Sequence, residues 1–249
     1  DDDGWLDLYI ANDLHWPDQL YRNQRDGAFR DVTDEALPRL AFFGMGSDFG
    51  DIDQDGRFDL MVADMAMRRH YDGKILMGDM DQQGWFLENG PGPQLMRNNL
   101  FLNTGTGRFL EVANLTKTSK TNWTWTVRFG DRDSDGWLDV FVTNGIPRFG
   151  DHPDIGAEFD RLWAEGKIRD AIRVASTIPP KPERNIALRN LGPKKGGLPK
   201  FAAMEKDWGL DELGVGQGAV LVDLDRDGDL DTVVINQNQD ASVFVNRGG

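Results

Sequence analysis

Apolar residues in this chain fall into short runs, each preceded by a polar, glycine-containing turn. Leu60, Met61 and Val62 form one run, Val140, Phe141 and Val142 another, and Thr232, Val233 and Val234 a third. Runs of this length with β-branched and aromatic content predict strands. The stretch Trp123, Trp125, Val127, Phe129 alternates large apolar residues with polar ones, the period-two pattern of a strand with two different faces. Its two tryptophans suit packing between sheets better than a stacking platform for sugar. A second recurring element places an Asn a few residues before a Gly, between two apolar stretches. It occurs at Asn23 to Gly27 and at Asn103 to Gly107, with an enlarged turn after Asn190 and a start at Asn246. Each reads as a hairpin turn.

Four strands per repeat follow from these elements. The first covers 44–50, 123–130 or 215–222. The second covers 8–11, 60–63, 140–143 or 232–235. The third ends at the hairpin Asn, and the fourth starts at Phe29, Phe109 or Phe201. The fold class this predicts is all-β, a β-propeller of four-stranded antiparallel blades. A single region of about four blades spans 1–249, with units near 1–34, 44–114, 123–205 and 214–249. Insertions occupy about 64–98 and 145–184. The spacing of Ile155, Phe159, Leu162, Trp163, Ile168 and Ile172 predicts one helix over 155–174 in the second insertion, its apolar stripe lying on the disc. In an antiparallel blade the first-to-second and third-to-fourth connections share one face. Both insertions are second-to-third connections and so emerge on the other.

The turns before the second strands carry the chemistry. Asp51, Asp53, Asp55, Gly56 and Asp59 are repeated as Asp131, Asp133, Asp135, Gly136 and Asp139, and again as Asp223, Asp225, Asp227, Gly228 and Asp231. Asp1, Asp3, Gly4 and Asp7 look like a fourth copy cut at its first ligand. The loop glycines stand at 4, 56, 136 and 228, so a fixed motif recurs with variable insertions between copies. Carboxylates this dense repel one another unless a cation lies among them. Hard oxygen ligands at alternate positions, with a glycine for a sharp turn, suit Ca2+. The seventh residues, Trp5, Arg57, Trp137 and Asp229, would contribute only a backbone carbonyl, which explains their variety. An EF-hand needs a bidentate Glu at position twelve between helices. Here position twelve is Val62, Val142 or Val234, inside a strand. Three complete calcium sites and one truncated site are expected, with a structural role.

Composition sharpens this picture. The 249 residues suffice for a sizeable core, and 39% hydrophobic content with 29 glycines suits a turn-rich globular chain. The formal charge is −14; each calcium ion adds two charges, so three would bring it to −8. No basic stripe offers itself to nucleic acid. No apolar run approaches the ~18 residues of a membrane span. Cysteine is absent, so disulfides say nothing of compartment. Extracellular calcium modules bind at roughly 10⁻⁴–10⁻³ M and need calcium-rich surroundings, which points to export. The chain begins inside a repeat and without Met, as a piece of a longer protein would.

Three stretches carry a family resemblance: 98–109 (Asn98 through Phe109), 123–139 (Trp123 through Asp139) and 208–231 (Trp208 through Asp231). They resemble FG-GAP/VCBS repeat proteins, whose repeats hold a calcium loop like that of integrin α-chain propellers. The likeness is nearest to bacterial FG-GAP proteins of the ASPIC/UnbV and cartilage acidic protein type. The resemblance implies a propeller, usually seven-bladed, a secreted, cell-surface or periplasmic location, and adhesive roles. The chain departs from that pattern in holding only about four blades and no ASPIC/UnbV segment. An open arc or a small four-bladed ring would accommodate this.

The catalytic inventory is thin. There is no Gly-x-Ser-x-Gly elbow, no His-Glu-x-x-His and no Walker loop. His15, His70 and His152 are scattered. Asp64, Asp79, Asp81 and Glu88 lie in or beside an insertion, but no spacing selects a pair for glycoside cleavage. A non-enzymatic module is therefore expected, with an extracellular protein or glycan partner on the face opposite the calcium loops. A polysaccharide lyase or hydrolase, or a purely architectural array, is the alternative.

Overall fold

The computed structural model describes residues 3–14, 16–76, 94–148, 153–193 and 197–248. Four antiparallel sheets follow one another along the chain. The first comprises Leu8–Ile10, Gln19–Asn23 and Phe29–Asp31. The second comprises Ser47–Gly50, Asp59–Val62, Asn99–Asn103 and Phe109–Glu111, adjacent in that order. The third comprises Asn122–Gly130, Asp139–Asn144, Ile186–Pro193 and Pro199–Ala203, with Met65–Ala66 added at its edge. The fourth comprises Gly216–Val222, Asp231–Asn236 and Ser242–Phe244. The fold is mostly β, and its sheets are the blades of a propeller-type arrangement.

Period-two side-chain direction decides what each strand touches. Leu60, Val62 and Phe101 join Leu20, Leu37 and Leu40 between the first and second sheets. Their neighbours Met61, Leu100 and Leu102 point the other way, onto Val127, Val140 and Val142 of the third. Phe141 and Ala187 then meet Val234 of the fourth and Leu210 of the segment leading to it. Burying each such side chain stabilises by about 1.5–3 kcal/mol. Where the first strands end, the sheets come too close for a side chain. A Cβ on Gly50 would lie 2.7 Å from a Leu138 methyl, and one on Gly130 would lie 2.6 Å from a Leu221 methyl.

Trp123 and Trp125 are half-buried within these contacts. The Trp125 indole donates to the Gly145 carbonyl at 2.6 Å. The alternation slips at a bulge between Thr124 and Thr126. The third strand of the third sheet runs past Asn190 to Pro193, with a second irregularity, because its turn is longer than the others.

The predicted single helix over 155–174 is two: Pro153–Ala164 and Ile168–Ser176. Gly166 adopts a φ of +73°, and the Lys167 amide caps the Leu162 carbonyl at 2.9 Å, ending the first helix. The expected apolar stripe is broken with it. Leu162 and Ala171 are buried, whereas Trp163, Ile168 and Ile172 are exposed. In the first insertion, His70–Leu76 is a short helix with His70 exposed. Trp85, Phe86 and the Gly-Pro run at 90–93 lie outside the described residues.

At the insertion end, a side-chain clasp joins the second and third strands in each of the first three sheets. The Asn12 amide donates to Asp18 Oδ1 at 2.8 Å, the Asp64 amide to Asn98 Oδ1 at 2.8 Å, and the Asn144 amide to Asn185 Oδ1 at 3.1 Å. Asp64 is fully buried, and its Oδ2 accepts from the amides of Phe42 and Phe43. Burial pushes its pKa up to about 7, partly offset by those amides. Asp79, Asp81 and Glu88 lie outside the described residues, as do His15 and His152.

Candidate cation-binding loops

All three complete aspartate loops are built alike, and each joins a first strand to a second. The fourth residue of each, Gln54, Ser134 or Arg226, has positive φ, as does the glycine at the sixth. The two left-handed residues coil the chain back on itself. That coil lets the leading aspartate bind its own loop: Asp51 accepts from the amides of Asp55 and Gly56, and Asp131 from those of Asp135 and Gly136. Asp223 does the same with Arg226 and Gly228.

The ninth residue ties the loop to the sheet. Asp59 Oδ2 accepts from the Ile52 amide at 3.0 Å, and Oδ1 from the Asn103 amide at 2.8 Å. Asp139 repeats this with Arg132 and Asn190, and Asp231 with Leu224 and Asn246. The hairpin asparagines found in the sequence are thus part of the loop architecture. Asn190 also reaches the preceding repeat, its Nδ2 donating to the Ile52 carbonyl at 2.8 Å and to the Leu138 carbonyl at 3.1 Å. Asn246 Nδ2 likewise donates to the Arg132 carbonyl at 2.7 Å. The buried Arg132 guanidinium runs forward, to the Leu230 carbonyl and the Thr232 hydroxyl. Adjacent loops are therefore linked through the sheet ends.

Carboxylate oxygens of Asp51, Asp53 and Asp59 lie within 4.8 Å of one another, as do those of Asp131, Asp133 and Asp139, and of Asp223, Asp225 and Asp231. The fifth-position aspartates stand outside these trios. Asp55 pairs with Arg57, Asp135 with Arg189, and Asp227 accepts from the Asp229 amide. Seventh-position side chains are engaged elsewhere, leaving only the main-chain carbonyl to offer. Arg57 binds the Asn103 carbonyl, Trp137 lies beside Gly192, and Asp229 accepts from Ser134. In the N-terminal copy Asp1 lies outside the described residues. Asp3 pairs with Arg25, Asp7 accepts from the Asn23 amide, and Trp5 is exposed.

The trios have the electrostatics of anions gathered for a cation. Oδ1 of Asp53 and Oδ1 of Asp133 are buried without a hydrogen-bond partner. Burial, with Asp53 and Asp55 nearby, pushes Asp59 up to about 7, although two amides oppose it. Asp139 is pushed up to about 6 in the same way. Asp53 and Asp133 are raised by desolvation and then by Asp55 and Asp135. Asp225 is raised by desolvation and Asp227. Crowded carboxylates that hold protons more tightly than usual are stabilised by an ion that replaces the protons. Three aspartate trios in this chain can hold a metal ion, and their all-oxygen donors suit a hard one.

Serial antiparallel sheets with an aspartate loop at every first turn define a repeat protein of propeller type with cation-competent loops. A family model described as FG-GAP-like repeat matches residues 1–62 and 75–142, more than half of the chain. The chain belongs to that family. The fourth sheet and its loop at 223–231 repeat the geometry outside the matched segments. No curated protein matches the chain. Among the described residues no helix is long and apolar enough to cross a membrane.

Proposed function

We propose that this chain is a calcium-stapled propeller segment that presents a ligand-binding face outside the cell. Calcium in the three trios is structural, clamping each first-to-second turn and, through the hairpin asparagines, the neighbouring sheet. The observation that carries this reading is the set of buried, unpartnered oxygens of Asp53 and Asp133 inside trios of common design. Calcium suits the loops better than Mg2+, which demands a tight octahedral shell and gives up its waters reluctantly. Dependence on calcium at extracellular concentrations supports a secreted, cell-surface or periplasmic setting, and the ASPIC/UnbV and cartilage acidic protein type of FG-GAP protein is the relative it fits.

The opposite end of the sheets carries the insertions, with exposed Tyr71, Trp163, Ile168 and Ile172. A protein or glycan partner binds there, without turnover. Titration calorimetry with calcium and magnesium tests the first half, the expected result being three calcium sites and weak magnesium binding. A glycan array paired with a reducing-sugar assay tests the second. Saturable binding without new reducing ends is expected, and release of reducing ends would establish an enzyme instead.

A further inference from the structure

The three loops share their aspartates but not their cationic neighbours. In the 131–139 loop, Arg189 reaches in from the strand before the hairpin. Its Nε lies 2.6 Å from Asp133 Oδ2, and its Nη2 lies 2.8 Å from Asp135 Oδ2. One guanidinium thus spans the third and fifth positions of one motif: Nη2 hydrogen-bonds Asp135, whereas Nε faces Asp133 at ion-pair distance without hydrogen-bond geometry. The other oxygen of Asp133 is the unpartnered one within the trio. The residue before the hairpin Asn is Leu102 in the second repeat and Val245 in the fourth. The 51–59 loop has Arg57, which pairs with Asp55 and is otherwise held by the Asn103 carbonyl. The 223–231 loop has an acid, Asp229, at that seventh position.

We propose that Arg189 sets the cation affinity of the 131–139 loop, acting as a built-in rival that makes it the weakest of the three and the last to fill. This rests on the reading of the loops as calcium sites. A cation entering the trio must either break the pair to Asp133 or bind with a unit positive charge a few ångströms away. Both oppose binding. At about 5 Å in a water-like dielectric, that charge weakens a divalent ion by roughly tenfold. Because the guanidinium is partly exposed, added salt shrinks the effect. The consequence is graded loading, with two loops that stay filled and a third that responds to a higher range of calcium.

Trp137, the seventh residue of the same loop, provides the readout. Terbium bound there is excited through the indole, and the signal lost in Trp137→Phe belongs to this loop. Calcium calorimetry is run in parallel, and folding is checked by circular dichroism. Arg189→Gln should tighten this loop about tenfold and leave the other two unmoved. Val245→Arg, which places the guanidinium at the equivalent position of the fourth repeat, should weaken the 223–231 loop comparably. Unchanged or weaker affinity in folded Arg189→Gln, or no loss in Val245→Arg, would overturn the proposal. Wild-type protein that binds neither ion sinks the calcium reading itself, a result distinct from sites that bind but ignore Arg189.

Discussion

The two ends of these sheets are closed by different chemistry. At the loop end, carboxylates are crowded, two of their oxygens are buried without partners, and the motif length is constant from repeat to repeat. At the insertion end, closure is neutral or singly charged and built from hydrogen bonds within the protein, although Oδ1 of the buried Asp64 has no partner there either. Asn98 accepts from the Asp64 amide and donates to the Thr118 carbonyl and the Thr121 hydroxyl. One end gathers carboxylates into trios that can hold a cation, the other ties single side chains to backbone amides. The difference fits the pattern of lengths: the aspartate motif is constant, whereas the connections at the second end vary most. An ion shell fixes its ligands at alternate positions, whereas an amide clasp is indifferent to what lies beyond it.

The most severe test of this asymmetry is removal of the ions. Binding confined to the folded state stabilises by about 2.7 kcal/mol per site at a hundredfold excess over Kd. For three sites in a chain of this size, chelation should lower Tm by more than about 15 °C. Differential scanning calorimetry with calcium and with excess EGTA measures it, and superimposable melting curves would refute the loop reading. Asn98→Ala should cost about 2–4 kcal/mol by orphaning a buried amide and carbonyl, equally in calcium and in EGTA, as read by urea unfolding. Asn190→Ala should cost about 2 kcal/mol, but more in calcium than in EGTA, because Asn190 joins two loops. Equal costs in both conditions would show that the loops are not coupled through it. Gly130→Ala should cost about 1–3 kcal/mol through overpacking against Leu221, with calcium binding retained.

Titration separates the ends more finely. Asp64 has a native pKa raised to about 7 against an ordinary 3.8. Its protonated form favours the native state, so that contribution is complete below about pH 4 and is lost as pH rises to about 7. Asn already occupies the equivalent position at Asn12, Asn144 and Asn236. In saturating calcium, the stability of wild type relative to Asp64→Asn should therefore fall between pH 4.5 and 7.5. A constant difference across that range would mean that Asp64 is not protonated in the native state.

The loop end was the more legible in the sequence, and for a physical reason. Ligands around one ion must recur at fixed spacing, so Asp51, Asp53 and Asp59 announce themselves together with the hairpin Asn103. What spacing could not reveal is the fate of Asp135, because Arg189 comes from another strand, 54 residues beyond it. The clasp was missed because its partners are separated by insertions of unequal length and vary between Asn and Asp. A signal was nonetheless there. Counting five residues on from each ninth-position aspartate gives Asn12, Asp64, Asn144 and Asn236, and counting five back from each hairpin Asn gives Asp18, Asn98, Asn185 and Ala241. The helix break at Gly166 was hidden by apolar spacing that continues across it, since a glycine in a helical pattern is a weak stop signal.

The amide clasp has a consequence for how such a protein diversifies. Once the neck of a connection is sealed, doubling the length of chain hung from it adds only about 0.6 kcal/mol of closure entropy. Segments as unlike as 13–17 and 145–184 are carried on the same kind of knot. A foreign epitope spliced between Asp64 and Asn98 would inherit a ready-made anchorage, and evolution would meet that opportunity at each repeat that carries the clasp.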